Sequence, residues 1–97
     1  MGLFSFFKKD KDQLQPGQII FDATDANFER RVIQRSYKTP VLVDFWATWC
    51  AACQVLDPIL EGLANDAGGA FLLAKLDAEN NQRTAQQYFV QGLPAVK

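Results

Sequence analysis

Histidine is absent from this chain of 97 residues. Without imidazole there is no Cys–His nucleophilic pair and no zinc site built on ring nitrogens. Cysteine is scarce as well. Two thiols leave a structural zinc site short of ligands unless a second chain contributes. Neither sign of charge dominates: 10 Lys and Arg stand against 11 Asp and Glu, for a net charge of −1. That balance provides no basic footprint for nucleic acid. No apolar run approaches the length of a transmembrane helix, and there are no internal repeats or low-complexity tracts. What remains is one compact domain's worth of chain. Its hydrophobic content of 48% suffices for a core and argues against global disorder.

The amino-terminal stretch Met1 to Lys9 is apolar first and basic second, the reverse of a secretory signal, and its apolar run is too short for one. Phe6 stands where a myristoylation pattern needs Ser or Thr. The stretch reads as a frayed leader; the competing reading is a weak amphipathic anchor. Lys8 to Gln18, with Pro16-Gly17, reads as a linker. Residues 1–17 are therefore expected to be a flexible leader and linker, and 18–97 a domain.

Both cysteines fall together, as Cys50 and Cys53. The preceding run Val41-Leu42-Val43-Asp44-Phe45-Trp46 is β-branched and aromatic, as a fully buried strand should be. The run from Cys53 to Asp66 reads as a helix. A Cys-x-x-Cys at that junction puts two sulfurs one turn apart on one face, close enough to bridge. Cys50 lies at the helix amino terminus, where free N–H groups and the positive dipole end stabilise a thiolate. Thiolate is the form that attacks a disulfide, so Cys50 is the candidate nucleophile. Two inert buried cysteines are the bland alternative; the flanking Trp46 and Trp49 and the strand–helix junction argue against it. Asp44 is a carboxylate inside an apolar strand, and burial without a cation should raise its pKa. Lys75, on a neighbouring strand, is expected either to pair with it or to point to solvent.

The rest of the chain alternates strand and helix. Gln18 to Asp22 reads as a strand. Thr24 is a plausible N-cap, with Asp25 in the first turn of a helix carrying Phe28, Val32 and Ile33 on its buried face. Pro40 stands just before the second strand. The helix after Cys50 contains Pro58, which should kink it, and Leu56, Ile59, Leu60 and Leu63 form its expected core stripe. Asn65 to Gly69 closes it. Ala70 to Asp77 reads as a third strand, Asn80 or Asn81 as the cap of a third helix to about Phe89, and Gly92 to Ala95 as a break. Such alternation implies parallel crossovers in an α/β layer.

Asp44-Phe45-Trp46-Ala47 followed by Trp49-Cys50-x-x-Cys53 resembles the active-site segment of the thioredoxin family. Pro58 sits five residues after Cys53, as in the family. Ala74-Lys75-Leu76-Asp77 resembles its third strand, and Gly92-Leu93-Pro94 its cis-proline loop. The match runs from about Ile19 to Lys97. The resemblance implies a thioredoxin-like α/β fold of order β-α-β-α-β-α, truncated after the cis-proline loop and lacking the last two strands and final helix. The strand holding Asp44 would then have a bare edge, expected to recruit another copy of the chain. It implies that Cys53 resolves the mixed disulfide, that Asp44 accepts the Cys53 proton, and that Trp49, Leu93 and Pro94 contact substrate. Trp46 is read as core.

Two departures stand out. Ala51-Ala52 separates the cysteines where thioredoxins usually carry Gly-Pro, so the dithiol is expected to be more oxidising. Ala95 follows Pro94 where Thr is common.

The implied function is that of a cytoplasmic thiol–disulfide oxidoreductase. It reduces protein disulfides without a bound cofactor, using an external reductant such as a thioredoxin reductase. A second reading is a binding or chaperone module, since Phe28 to Ser36 and Thr39 to Ala47 are similar to the thioredoxin-like domain of tetratricopeptide co-chaperones. A third is a purely structural domain.

Overall fold

The computed structural model describes residues 18–90, 92–93 and 95–96. The expected leader and Pro94 therefore lie outside the described residues. Strand β1 is Ile20–Ala23, β2 Val41–Trp46 and β3 Leu72–Asp77. The first helix, α1, is wound as a wide π-type turn over Glu29–Ile33 and continues as α-helix over Gln34–Ser36. Helix α2 is Ala51–Ala67, α3 is Gln82–Gln87, and a two-residue strand β4 spans Ala95–Val96. The sheet order is β1-β3-β2-β4. β3 pairs in parallel with both β1 and β2. The α/β, thioredoxin-like fold class is thus the one expected, with one amendment. The first of the strands expected to be lacking begins at Ala95–Val96, antiparallel to Phe45 and Asp44. The chain bends at Gly92 and Leu93, and the next residues satisfy backbone groups on the β2 edge, which is therefore partly covered.

Period-2 alternation sorts the strand residues onto two faces. Val43, Phe45, Leu72, Ala74 and Leu76 pack with Phe28 and Val32 of the α1 segment and Ala85 of α3. Leu42 and Leu73 face the other way, toward Leu56, Leu60 and Ala64 of α2. By the same alternation Asp44 and Lys75, adjacent in register across β2 and β3, lie on the α2 side. That places the buried acid under the helix that begins at the cysteines.

Helix α2 corrects one expectation. Leu60 and Ala64 are buried, but Ile59 and Leu63 are 55% and 54% exposed. The sequence offers an apolar arc wider than one sheet face can cover, and the helix buries the side through Cys53, Leu60 and Ala64. Gly68 ends the helix at φ +61°, a left-handed conformation that favours glycine, and its N–H donates to the Asn65 carbonyl.

Thr24 is not the N-cap of α1: Phe28 holds that place without a side-chain cap, and Thr24 and Asn27 instead bond each other in the turn before the helix. The Asn27 N–H donates to Thr24 Oγ1 at 3.2 Å, and the Thr24 N–H donates to Asn27 Oδ1 at 2.7 Å. Asp25 does something the sequence did not announce. Its carboxylate accepts from the backbone N–H and hydroxyl of Thr84, at 2.9 and 2.6 Å. It therefore caps α3, 59 residues away, rather than its own helix. Burial pushes the Asp25 carboxyl up, but the Thr84 hydrogen bonds and the Arg83 charge outweigh it, leaving the pKa below its ordinary value.

Candidate active site

Cys50 is the N-cap of α2, with extended backbone dihedrals, and its sulfur accepts the Cys53 N–H at 3.1 Å. The two cysteines are joined as a disulfide across Cα atoms 5.3 Å apart. The expected dithiol pairing and its place at the helix start are therefore present. The N–H that reaches Cys50 is one of the first-turn donors that lack an intrahelical acceptor. A helix-start N–H of this kind is the sort of donor that stabilises a thiolate. Both residues are buried, Cys50 at 5% and Cys53 at 1% exposure, so Cys53 is the more deeply placed.

Trp49 is 67% exposed. With Ala78, Ala85, Val90, Gly92 and Leu93 it lines a surface groove of about 350 Å³. Leu93 also packs against the cluster of Ala47, Cys50 and Cys53, linking the groove to the sulfurs. Trp46, expected in the core, is only partly buried; it packs against the same cluster and lines a neighbouring cleft.

Asp44 is completely buried, and neither carboxyl oxygen has a hydrogen-bond donor among the described residues. Its pKa is pushed up to about 7. Burial is the largest cause, followed by the neighbouring Asp57 carboxyl and its charge; Lys75 opposes them and Glu61 adds to them. Asp57 was not singled out by sequence reading, although its position four residues after Cys53 puts both on one face of α2. That i, i+4 spacing was the available signal.

Lys75 follows neither of its two expected courses. Its ammonium bonds Glu61 at 2.8 Å and stands 3.6 Å from Asp57 Oδ2, while its charge still reaches Asp44. Partial burial pulls the ammonium's pKa down, but the Glu61 bond and the two carboxylate charges outweigh it and raise the pKa. Cys53, Asp57 and Lys75 line a cleft of about 270 Å³ together with Trp46, Ala47 and Gln54. The arrangement supplies a dithiol, a buried carboxyl that holds a proton near neutrality, and an ionic network that leads outward. Among the described residues no group of three or more Cys, Asp or Glu is placed to hold a metal ion, and no helix is long and apolar enough to cross a membrane.

Comparison with known proteins agrees with this geometry. A family model described as Thioredoxin matches residues 19–97. The chain is 44% identical to a thioredoxin of Buchnera aphidicola subsp. Schizaphis graminum over 77 residues, covering 79% of this chain and 69% of that protein. It is 41% identical to a thioredoxin of Chlorobaculum thiosulfatiphilum over 76 residues, covering 78% and 68%. It is 40% identical to a thioredoxin of Pseudomonas aeruginosa over 77 residues, covering 79% and 69%.

Proposed function

The chain belongs to the thioredoxin family and is a thiol–disulfide oxidoreductase; from that premise we propose a division of labour among its residues. Cys50 is the nucleophile, Cys53 the resolving thiol and Asp44 the base of the resolving step. The observation that carries this reading is the Cys53 N–H directed at the Cys50 sulfur at the start of α2. Attack by the Cys50 thiolate breaks a protein disulfide and leaves a mixed disulfide. Cys53 then attacks Cys50, closes the pair seen here and releases the reduced substrate.

Trp49 and Leu93 are the substrate contacts, supported by their shared groove, and Pro94 joins them by its place in the chain. The cycle needs an external reductant of the thioredoxin reductase type to reopen the disulfide, and a reducing compartment such as the cytoplasm to supply it. Residues 18–97 form the functional domain. Self-association is assigned to the part of β2 beyond Asp44 and Phe45, which β4 leaves uncovered among the described residues; sedimentation over a range of concentrations reads it out.

The test uses insulin as the disulfide probe. Cys53→Ser should trap a mixed disulfide through Cys50, and Cys50→Ser should trap none. Asp44→Asn should accumulate more mixed disulfide than the parent chain, because resolution slows more than the first attack. Insulin reduction that persists in Cys50→Ser refutes the assignment.

A further inference from the structure

Lys75, the register neighbour of Asp44 on β3, stands 3.6 Å from Asp57 Oδ2, so Asp44 and Asp57 flank the same ammonium, and the Asp57 carboxyl helps push the Asp44 carboxyl up. Both oxygens of Asp44, and Oδ1 of Asp57, are buried without a donor among the described residues. Two carboxylates cannot donate to one another, so a contact between them is favourable only when a proton lies between them. Asp44 has no exposed surface, whereas Asp57 lines the cleft that Cys53 and Lys75 also line. Cys53 and Asp57 share one face of α2 at i, i+4 spacing. Among the described residues, the charged groups bearing on Asp44 are Asp57 and Glu61 from α2 and Lys75 from β3.

We propose that Asp44 serves as the base of the resolving step as one half of an Asp44–Asp57 carboxyl pair, with Asp57 the member that passes the Cys53 proton on to solvent through the cleft. This rests on the dithiol reading above and extends it. In the step, the Cys53 S–H bond breaks and its proton passes to the pair. The electron pair left on Cys53 forms the bond to Cys50. The bond from Cys50 to the substrate sulfur breaks, and its electrons leave with the substrate thiolate, which takes a proton from water. The two cysteines are oxidised and the substrate disulfide is reduced. Lys75, held by Glu61, keeps the outer carboxylate oriented.

The experiment follows the mixed disulfide with insulin by rapid quench, across pH, in the parent chain and in Asp57→Asn, Asp57→Glu, Asp44→Asn and the double variant Asp44→Asn/Asp57→Asn. General acid–base groups contribute large factors, so Asp57→Asn should slow resolution about tenfold or more while the first attack stays within about twofold. Asp57→Glu should recover resolution to within about threefold of the parent. Groups that act as one unit are not additive, so the double variant should be no slower than the slower single variant. Carboxyl carbon NMR provides a readout independent of turnover: removing the Asp57 charge should move the Asp44 titration to lower pH. Unchanged resolution and pH profile in Asp57→Asn, or multiplicative losses in the double variant, overturn the pair. Failure of the parent chain to form any mixed disulfide removes the dithiol premise instead, and the proposal with it.

Discussion

Replacing Asp44 with Asn should stabilise the protein at alkaline pH, and the size of the effect follows from the site. Asp44 titrates at about 7 in the fold, against an ordinary 3.8. A raised carboxyl means that between those values the folded state holds a proton the unfolded state has lost. Stability therefore falls as pH rises across the interval, and is lower by the full amount above it. The shift is about three units, and each unit is worth about 1.4 kcal/mol, so ionised Asp44 costs the fold about 4 kcal/mol. Asparagine has nearly the same shape, carries no charge to bury, and offers an amide donor to Asp57.

Chemical denaturation of the oxidised protein from pH 4 to pH 9 measures this, as the difference between the two chains at each pH. That difference cancels carboxylates with the opposite dependence, such as Asp25, whose lowered pKa contributes stability that is lost as the medium becomes acid. The variant should gain little at pH 4 and several kcal/mol at pH 9. A difference that does not vary with pH, or a variant less stable than the parent at pH 9, would falsify the account of Asp44 as a costly buried acid.

Three further outcomes are expected. In the reduced protein at neutral pH, iodoacetamide should modify Cys50 much faster than Cys53, because Cys50 faces the first-turn N–H and is the less buried of the two; equal labelling by mass spectrometry contradicts this. Asp25→Ala removes the acceptor for Thr84 N–H and hydroxyl and should cost about 1–2 kcal/mol in denaturant unfolding; a change near zero shows that the cap contributes nothing. Leu73→Ala, at a position with no exposed surface between β3 and α2, should cost about 2–5 kcal/mol, and a loss below about 1 kcal/mol would mean that the site collapses around the deletion.

The dithiol was legible in the sequence because everything it needs is local. A buried strand, a helix start and two cysteines at fixed spacing bring the sulfurs together and place Cys50 at the cap, whatever the rest of the chain does. The strands and the first helix were legible for a similar reason, since periodicity is written along the chain. Partnerships between distant segments were not. Asp25 looked like a first-turn acid and became the cap of α3. Ile59 and Leu63 looked like core and stayed exposed, because periodicity gives the apolar arc of a helix but not how much of it a sheet will cover. A second strand segment settled on β2 after the bend at Gly92 and Leu93.

Asp44 shows the division most clearly. Its sequence context established that it would be a lone acid in an apolar strand. Its proton affinity depends on α2 bringing the Asp57 charge near it, and on β3 setting Lys75 beside it in register. The type of chemistry was fixed by covalent spacing. The protonation state of Asp44 was decided by tertiary packing, because a charge is stabilised or destabilised by what lies within a few ångströms in space, not by its neighbours along the chain.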